Sequence, residues 1–110
     1  MSDPDINIDP QDARREWWLA SLGRTLVWAQ LRVREAGTAD VFDSDGNLLA
    51  YDSEDTARAA LMDAEFVAFE GLDEEDALER GFSLSEVLPP QGDDDAALRD
   101  RMVQTLGARA

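Results

Sequence analysis

The chain has 110 residues, a net charge of −15 and an apolar fraction of 44%, which predict one domain with a hydrophobic core. It contains no cysteine, histidine or lysine, so all ten basic residues are arginine. This composition excludes disulfides, thiolate metal sites, cysteine nucleophiles and histidine bases.

The N-terminal part predicts a tail followed by a helix. Residues 1–9 are acidic and aperiodic, and we expect them to be a flexible tail. Asp9 and Pro10 then resemble a helix start, with an N-cap and a proline at the first helical position. The predicted first helix covers residues 10–22, and the apolar residues that share one of its faces are Ala13, Trp17 and Ala20.

From Arg24 the apolar period changes to two, which predicts a half-buried strand. Its apolar face consists of Val27, Ala29, Leu31 and Val33, and its polar face of Trp28, Gln30, Arg32 and Arg34. Two further strands, over residues 38–43 and 47–51, flank Asp45-Gly46, which favours a two-residue type I′ turn. The three strands form a predicted antiparallel meander, whose last hairpin pairs Phe42 with Leu49 and Asp40 with Tyr51.

In the rest of the chain, residues that can cap helices are followed by regularly spaced apolar residues. A helix over 54–64 is predicted after Asp52-Ser53, which can cap it, with a buried stripe of Ala57, Ala60, Leu61 and Ala64. Residues 65–70 are either a fourth strand, which we favour, or the tail of that helix. A short helix over 74–80 ends at Gly81. A last helix over 93–106 is predicted from the stripe of Leu98, Met102 and Leu106.

The predicted fold class is therefore α+β, in which helices pack on a small antiparallel sheet in the order α-β-β-β-α-β-α-α. We divide the chain into the tail at 1–9, a single domain over 10–90, and an acidic linker and helix over 91–110. The chain has neither the basic start and apolar run of a secretory signal nor a membrane-length apolar segment. We expect a cytoplasmic location.

The negative charge is concentrated in one part of the sequence. Residues 40–100 contain nineteen acids and three arginines, a net charge of −16. Such a surface repels nucleic acid and anionic membranes and attracts basic proteins. The densest run, which is either a docking patch or the capped and solvated start of a helix, is Asp73, Glu74, Glu75 and Asp76. Residues 93–95 allow the same two interpretations, with the helix start favoured.

Two further groups are candidates for contacts with a partner. Asp43 and Asp45 lie in a segment that resembles a calcium loop, but the glycine falls at position four instead of six, so a hairpin turn is the better interpretation. Trp18 follows Trp17 directly, and Trp28 lies on the polar face of its strand. Either one of Trp18 and Trp28 is exposed as a binding hot spot, or the helix over 10–22 covers both, which we favour.

The sequence lacks the usual signatures of catalysis and of nucleic-acid binding. It contains no Gly-rich phosphate loop, no metal motif and no base for a serine nucleophile, so we expect no enzyme activity, cofactor or metal. The arginines cluster only at Arg14, Arg15, Arg24, Arg32 and Arg34. Pairing with strand acids such as Asp40 explains Arg32 and Arg34 better than a nucleic-acid site does.

These observations favour an inhibitor that masks a basic or nucleic-acid-binding surface of a partner protein, without contacting nucleic acid or membrane itself. Immunity proteins, antitoxins, anti-CRISPR proteins and DNA mimics use acidic surfaces in this way, so the argument is an analogy of charge. A second hypothesis is an adaptor or regulatory subunit of a bacterial complex that binds through exposed aromatics, including as a homodimer. A third, an enzyme that uses carboxylates alone, requires a deep acidic pocket.

Overall fold

The computed structural model describes residues 12–106, and it begins with a strand where the sequence predicted a helix. β1 (Asp12–Leu22) pairs antiparallel with β2 (Thr25–Arg34) along nearly its whole length. The helix predicted over 10–22 is therefore wrong. Both faces of this hairpin are buried, so apolar residues follow one another in β1 and the alternation that marks a half-buried strand is lost. The tail predicted at 1–9 lies outside the described residues.

Six antiparallel strands form the sheet, so the predicted α+β class is confirmed. The other four are β3 (Ala39–Phe42), β4 (Leu48–Tyr51), β5 (Val67–Ala68) and β6 (Val103–Thr105). Their order is β4-β3-β2-β1-β5, and β6 pairs with the start of β2. The predicted meander is confirmed as β2, β3 and β4.

The register of the β3–β4 hairpin differs from the prediction by one residue. Phe42 pairs with Leu48, and Asp40 pairs with Ala50. The Asp43 N–H donates to the carbonyl of Asn47, and the Gly46 N–H donates to the carbonyl of Asp43. The loop therefore holds three residues instead of two and ends on Gly46 at φ 89°, which explains the shift.

One face of the sheet is covered by α1 (Glu54–Asp63), which confirms the predicted helix. The Ser53 side chain accepts from the Thr56 N–H at 3.1 Å and caps it. Ala57 and Leu61 pack on this face, with Trp18, Leu31 and Val41. The predicted stripe is too wide, because Ala60 is half-buried and Ala64 is exposed.

The other face is covered by the C-terminal half of the chain. Here lie α2 (Glu74–Glu79), α3 (Asp95–Arg99) and two 3-10 turns at Phe69–Gly71 and Leu84–Glu86. The core between them and the sheet includes Leu26, Trp28, Phe42, Phe82 and Met102. The strand face predicted as polar is thus an interior face, covered by the C-terminal half of the chain.

The helix predicted over 93–106 is wrong, because α3 ends at Arg99 and β6 follows. The Trp28 N–H donates to the carbonyl of Met102 at 2.8 Å, and the Leu106 N–H donates to the carbonyl of Arg24 at 2.7 Å. These bonds pair a part of β2 that β3 leaves open. The three residues of the predicted stripe, Leu98, Met102 and Leu106, are nevertheless all buried.

The region between α1 and α2 agrees with the favoured prediction. Residues 65–70 include the strand β5, which ends in the 3-10 turn at Phe69–Gly71. The helix predicted over 74–80 is confirmed as α2, and Gly81 follows it with φ 94°.

Candidate protein-binding surface

The four acids at the start of α2 divide into structural and free groups. The Asp73 carboxylate caps the helix by accepting from the Asp76 N–H at 2.9 Å. Glu74 accepts from the Ser83 hydroxyl at 2.8 Å and from the Leu84 N–H at 3.1 Å, and so ties α2 to the following turn. Among the described residues, the carboxylates of Glu75 and Asp76 have no hydrogen bond. The helix-start interpretation is thus confirmed for Asp73, whereas the docking-patch interpretation stays a prediction for Glu75 and Asp76.

The β3–β4 loop has the same division. The Asp43 carboxylate accepts from the N–H groups of Asp45 and Asn47 at 3.0 and 2.9 Å, which confirms the turn interpretation, whereas Asp45 is exposed. A Cβ on Gly46 would lie 3.0 Å from Arg99, so this loop lies beside α3. Within residues 12–106, no hydrogen bond or ion pair joins it to the acids of α2.

Trp18 and Trp28 are both buried, with 2% and 0% of their surface exposed. The interpretation that one of them is an exposed hot spot is therefore wrong. They are not covered by an N-terminal helix, because that segment is β1. Trp18 packs on the α1 face of the sheet, and Trp28 on the opposite face, with its ring 5.9 Å from that of Trp17.

Three arginines of the predicted cluster form ion pairs within the fold. Arg34 forms an ion pair with Asp40, as predicted, and Arg32 pairs with Asp95 at 2.9 Å. Arg14 bridges Glu16 and Glu54. Pairing with carboxylates leaves little net positive charge at these arginines to attract phosphates.

A charge-balanced network links β1 to α1. The Arg58 guanidinium donates to Glu16 at 2.7 Å and to Glu54 at 2.7 Å, and it lies over the Trp18 ring. Hydrogen bonds from Arg58 and then from Arg14 hold the pKa of the Glu54 carboxyl below its ordinary value, and the bond to Glu54 raises the pKa of Arg14. The network fixes the start of α1 on the sheet.

Glu54→Gln is expected to remove a pH-dependent part of the stability. A lowered pKa in the folded state stabilises the fold above the unfolded-state pKa, and this contribution is lost as the pH falls through the folded value. The wild type should therefore exceed the variant in unfolding free energy near about pH 7, and the difference should shrink as the pH falls below the ordinary glutamate pKa of about 4.3. Urea unfolding of both proteins across this range measures it, and a pH-independent difference would contradict the ion-pair assignment.

A groove that was not predicted from the sequence lies beside β5. Its wider part has a volume of about 800 Å³ and lies between the ends of β1, α1 and α2; its lining includes Ser21, Leu22, Asp63, Glu65 and Glu79. An adjoining part of about 410 Å³ has an apolar floor that includes Trp18, Phe66, Val67 and Leu72. Met62, Phe66, Val67 and Arg80 line both parts, so the two are continuous. The groove depends on tertiary contacts that no local pattern encodes.

Glu65 has an unusual backbone at the mouth of this groove. Its φ of 70° is the only positive value at a non-glycine position among the described residues. The Phe66 N–H donates to the carbonyl of Leu61 and the Glu65 N–H to that of Met62, the pattern with which helices often end on a left-handed glycine. Glutamate occupies that position here, and it is exposed.

Within the described range, no group of three or more metal-ligating side chains is found, and no helix is long and apolar enough to cross a membrane. The candidate surface consists of the acids of α2, of the β3–β4 loop and of the groove. Searches of family models, of curated proteins and of solved structures found no match to this chain.

Proposed function

We propose that this chain is a non-catalytic protein-binding module that masks a basic, nucleic-acid-binding surface of a partner protein. The observation that carries the proposal is the exposure of its acids. Of the nineteen acids in residues 40–100, fifteen are exposed, and only Asp40 is buried. Ion pairs with described arginines neutralise few of these charges, since they engage only Asp40, Glu54 and Asp95 of this block.

Masking follows from the chemistry of the two surfaces. A nucleic-acid-binding protein presents clustered arginine and lysine to phosphates. A dense field of carboxylates competes for the same cations and steers the two proteins together. The free carboxylates of Glu75 and Asp45 are available for this role without any loss of a fold contact.

The adaptor hypothesis receives no support from the aromatic residues that suggested it. Trp18 and Trp28 present almost no surface to a partner. The large exposed apolar residues within residues 12–106 are aliphatic or methionine, and none is aromatic: Leu22, Leu48, Leu49, Met62, Leu78, Leu88 and Val103. Homodimer formation is also opposed by the repulsion between two copies that each carry −15.

The test is capture of a partner from source-cell lysate on the immobilised protein at about 0.05 M salt, with elution in a salt gradient. We expect one basic protein to elute at moderate salt and to be identified by mass spectrometry. In a second step, nucleic acid bound to the purified partner should be displaced by this chain in a fluorescence polarisation assay.

The control for the capture experiment is an immobilised variant that carries Glu75→Gln and Asp45→Asn. These substitutions remove two free carboxylates and no hydrogen bond of the fold. We expect weaker capture and unchanged thermal unfolding, since exposed charges without partners contribute little stability. Capture of no basic protein, or of one held equally at about 1 M salt, would contradict the proposal.

A further inference from the structure

The sheet has an open edge at the groove defined above. Ala68 and Val67 of β5 pair with Trp18 and Leu19, and no described strand pairs with the opposite edge of β5 or with residues 20–22 on that side of β1. Ala20, Ser21 and Leu22 line the wider part of the groove. Unpaired backbone groups at a strand edge are a template for an added extended segment.

The charges around this edge favour a basic occupant. Asp63, Glu65, Asp76 and Glu79 line the groove, together with Arg58 and Arg80. Arg58 is already balanced by Glu16 and Glu54. The last turn of α1 contains no basic residue, so its negative helix end adds to the field of the carboxylates.

Glu65 lies at a position where a glutamate lowers the stability of the fold. A left-handed backbone is unfavourable for a residue with a Cβ, and a carboxylate at a helix C-terminus is repelled by the helix dipole. Glycine would relieve both effects. Strained positions of this kind cluster at functional sites, and Glu65 presents its charge at the mouth of the groove.

From these observations we infer that the groove binds an extended, arginine- or lysine-bearing segment of the partner protein, which adds to the open edge of β1 and β5. The apolar floor around Phe66 and Val67 would take alternate side chains of that segment, and Glu65 and Glu79 its cations. This inference rests on the proposed function and locates the contact on the surface.

The probe is a fluorescein-labelled peptide of about six residues that alternates arginine and valine, a typical strand length. Titration of the ¹⁵N-labelled protein should shift the amide resonances of Ser21, Leu22, Val67 and Ala68. The double variant Glu65→Gln/Glu79→Gln should weaken peptide binding about tenfold, as expected for two exposed ion pairs. Shifts confined to the β3–β4 loop and α3 would overturn the inference.

Two controls separate location from total charge and from misfolding. Asp52→Asn/Asp100→Asn removes the same charge at two exposed residues outside the groove lining, and we expect less than about a twofold change in peptide affinity. Glu65→Gly should raise Tm by about 4 °C and still weaken binding as Glu65→Gln does, because glycine accepts the positive φ. Equal losses of peptide affinity in the two double variants would refute the groove as the site.

The captured partner distinguishes this inference from the proposed function. If a basic partner binds but the Glu65→Gln/Glu79→Gln variant retains full affinity for it, the groove assignment fails and the masking function stands. If no basic partner is found although the peptide maps to the groove, the masking function fails. If a basic partner binds and only the groove variant loses affinity for it, the groove assignment and the masking function are both supported.

Discussion

Trp28→Ala is expected to lower the free energy of unfolding by about 3–5 kcal/mol, a large part of the total stability of a domain of this size. The indole is fully buried at the centre of the interior face. Its ring lies 5.9 Å from Trp17 and 5.3 Å from Phe69, both in edge-on geometry. Removal would open a cavity where β1, β2 and the C-terminal layer meet. Urea unfolding followed by circular dichroism measures the loss.

Trp28→Phe tests the polar atom of the same side chain. The indole Nε1 is buried without a hydrogen-bond partner among the described residues, a situation that costs about 1–3 kcal/mol. Phenylalanine loses volume but removes this unpaired N–H, so we expect a net cost below about 2 kcal/mol. Leu88→Ala, at a residue 71% exposed, serves as the control and should change stability by less than about 0.5 kcal/mol. A cost near zero for Trp28→Ala would contradict the packing of this face.

Several of the correctly predicted elements have local chemistry at their ends. α1 begins at the Ser53 cap, α2 begins at the Asp73 cap, and β3 and β4 meet at Asp45-Gly46. Each signal acts within a few residues and does not depend on the rest of the fold. The one-residue register error arose because the same dipeptide also fits a three-residue loop.

The two misassigned helices have different physical causes. Apolar residues spaced by four positions lie on one face of a helix and also on one face of a strand, because four is a multiple of two. Leu98, Met102 and Leu106 have this spacing, and they remain on one buried side while the chain passes from α3 into β6. In β1, burial of both faces removed the alternation. Only the pairing of β1 and β6 with β2 shows that these segments are strands and not helices.

The candidate surface was predictable in charge but not in shape. The acidic block between residues 40 and 100 is visible in the composition, and its exposure follows from the cost of burying carboxylates. The groove requires β1, α1 and α2 to meet, which depends on long-range contacts. The left-handed backbone of Glu65 has no sequence signal, because glycine is the residue that normally marks such a position.

Asp95→Asn is expected to destabilise the fold by about 2–3 kcal/mol, because it leaves a buried cation without its carboxylate. Arg32 is 5% exposed, lies 4.7 Å over the Phe42 ring and donates to Gln30 at 2.7 Å. Its carboxylate partner Asp95 contributes a bond at 2.9 Å from the start of α3. Asp95 itself is about half exposed, so solvent reduces the loss below that of a fully buried pair.

A double-mutant cycle isolates this pair. Arg32→Met removes the buried charge and keeps an unbranched apolar stem over Phe42, so Asp95→Asn should cost less than about 0.5 kcal/mol in that background. The single-site control is Asp93→Asn, which removes the same charge two residues away. The Asp93 carboxylate has no hydrogen bond among the described residues. If Asp95→Asn and Asp93→Asn cost the same in urea unfolding, α3 is not anchored through Arg32. A measured coupling above about 1 kcal/mol would assign Asp95 to folding, so its loss would affect partner binding through stability and not through contact.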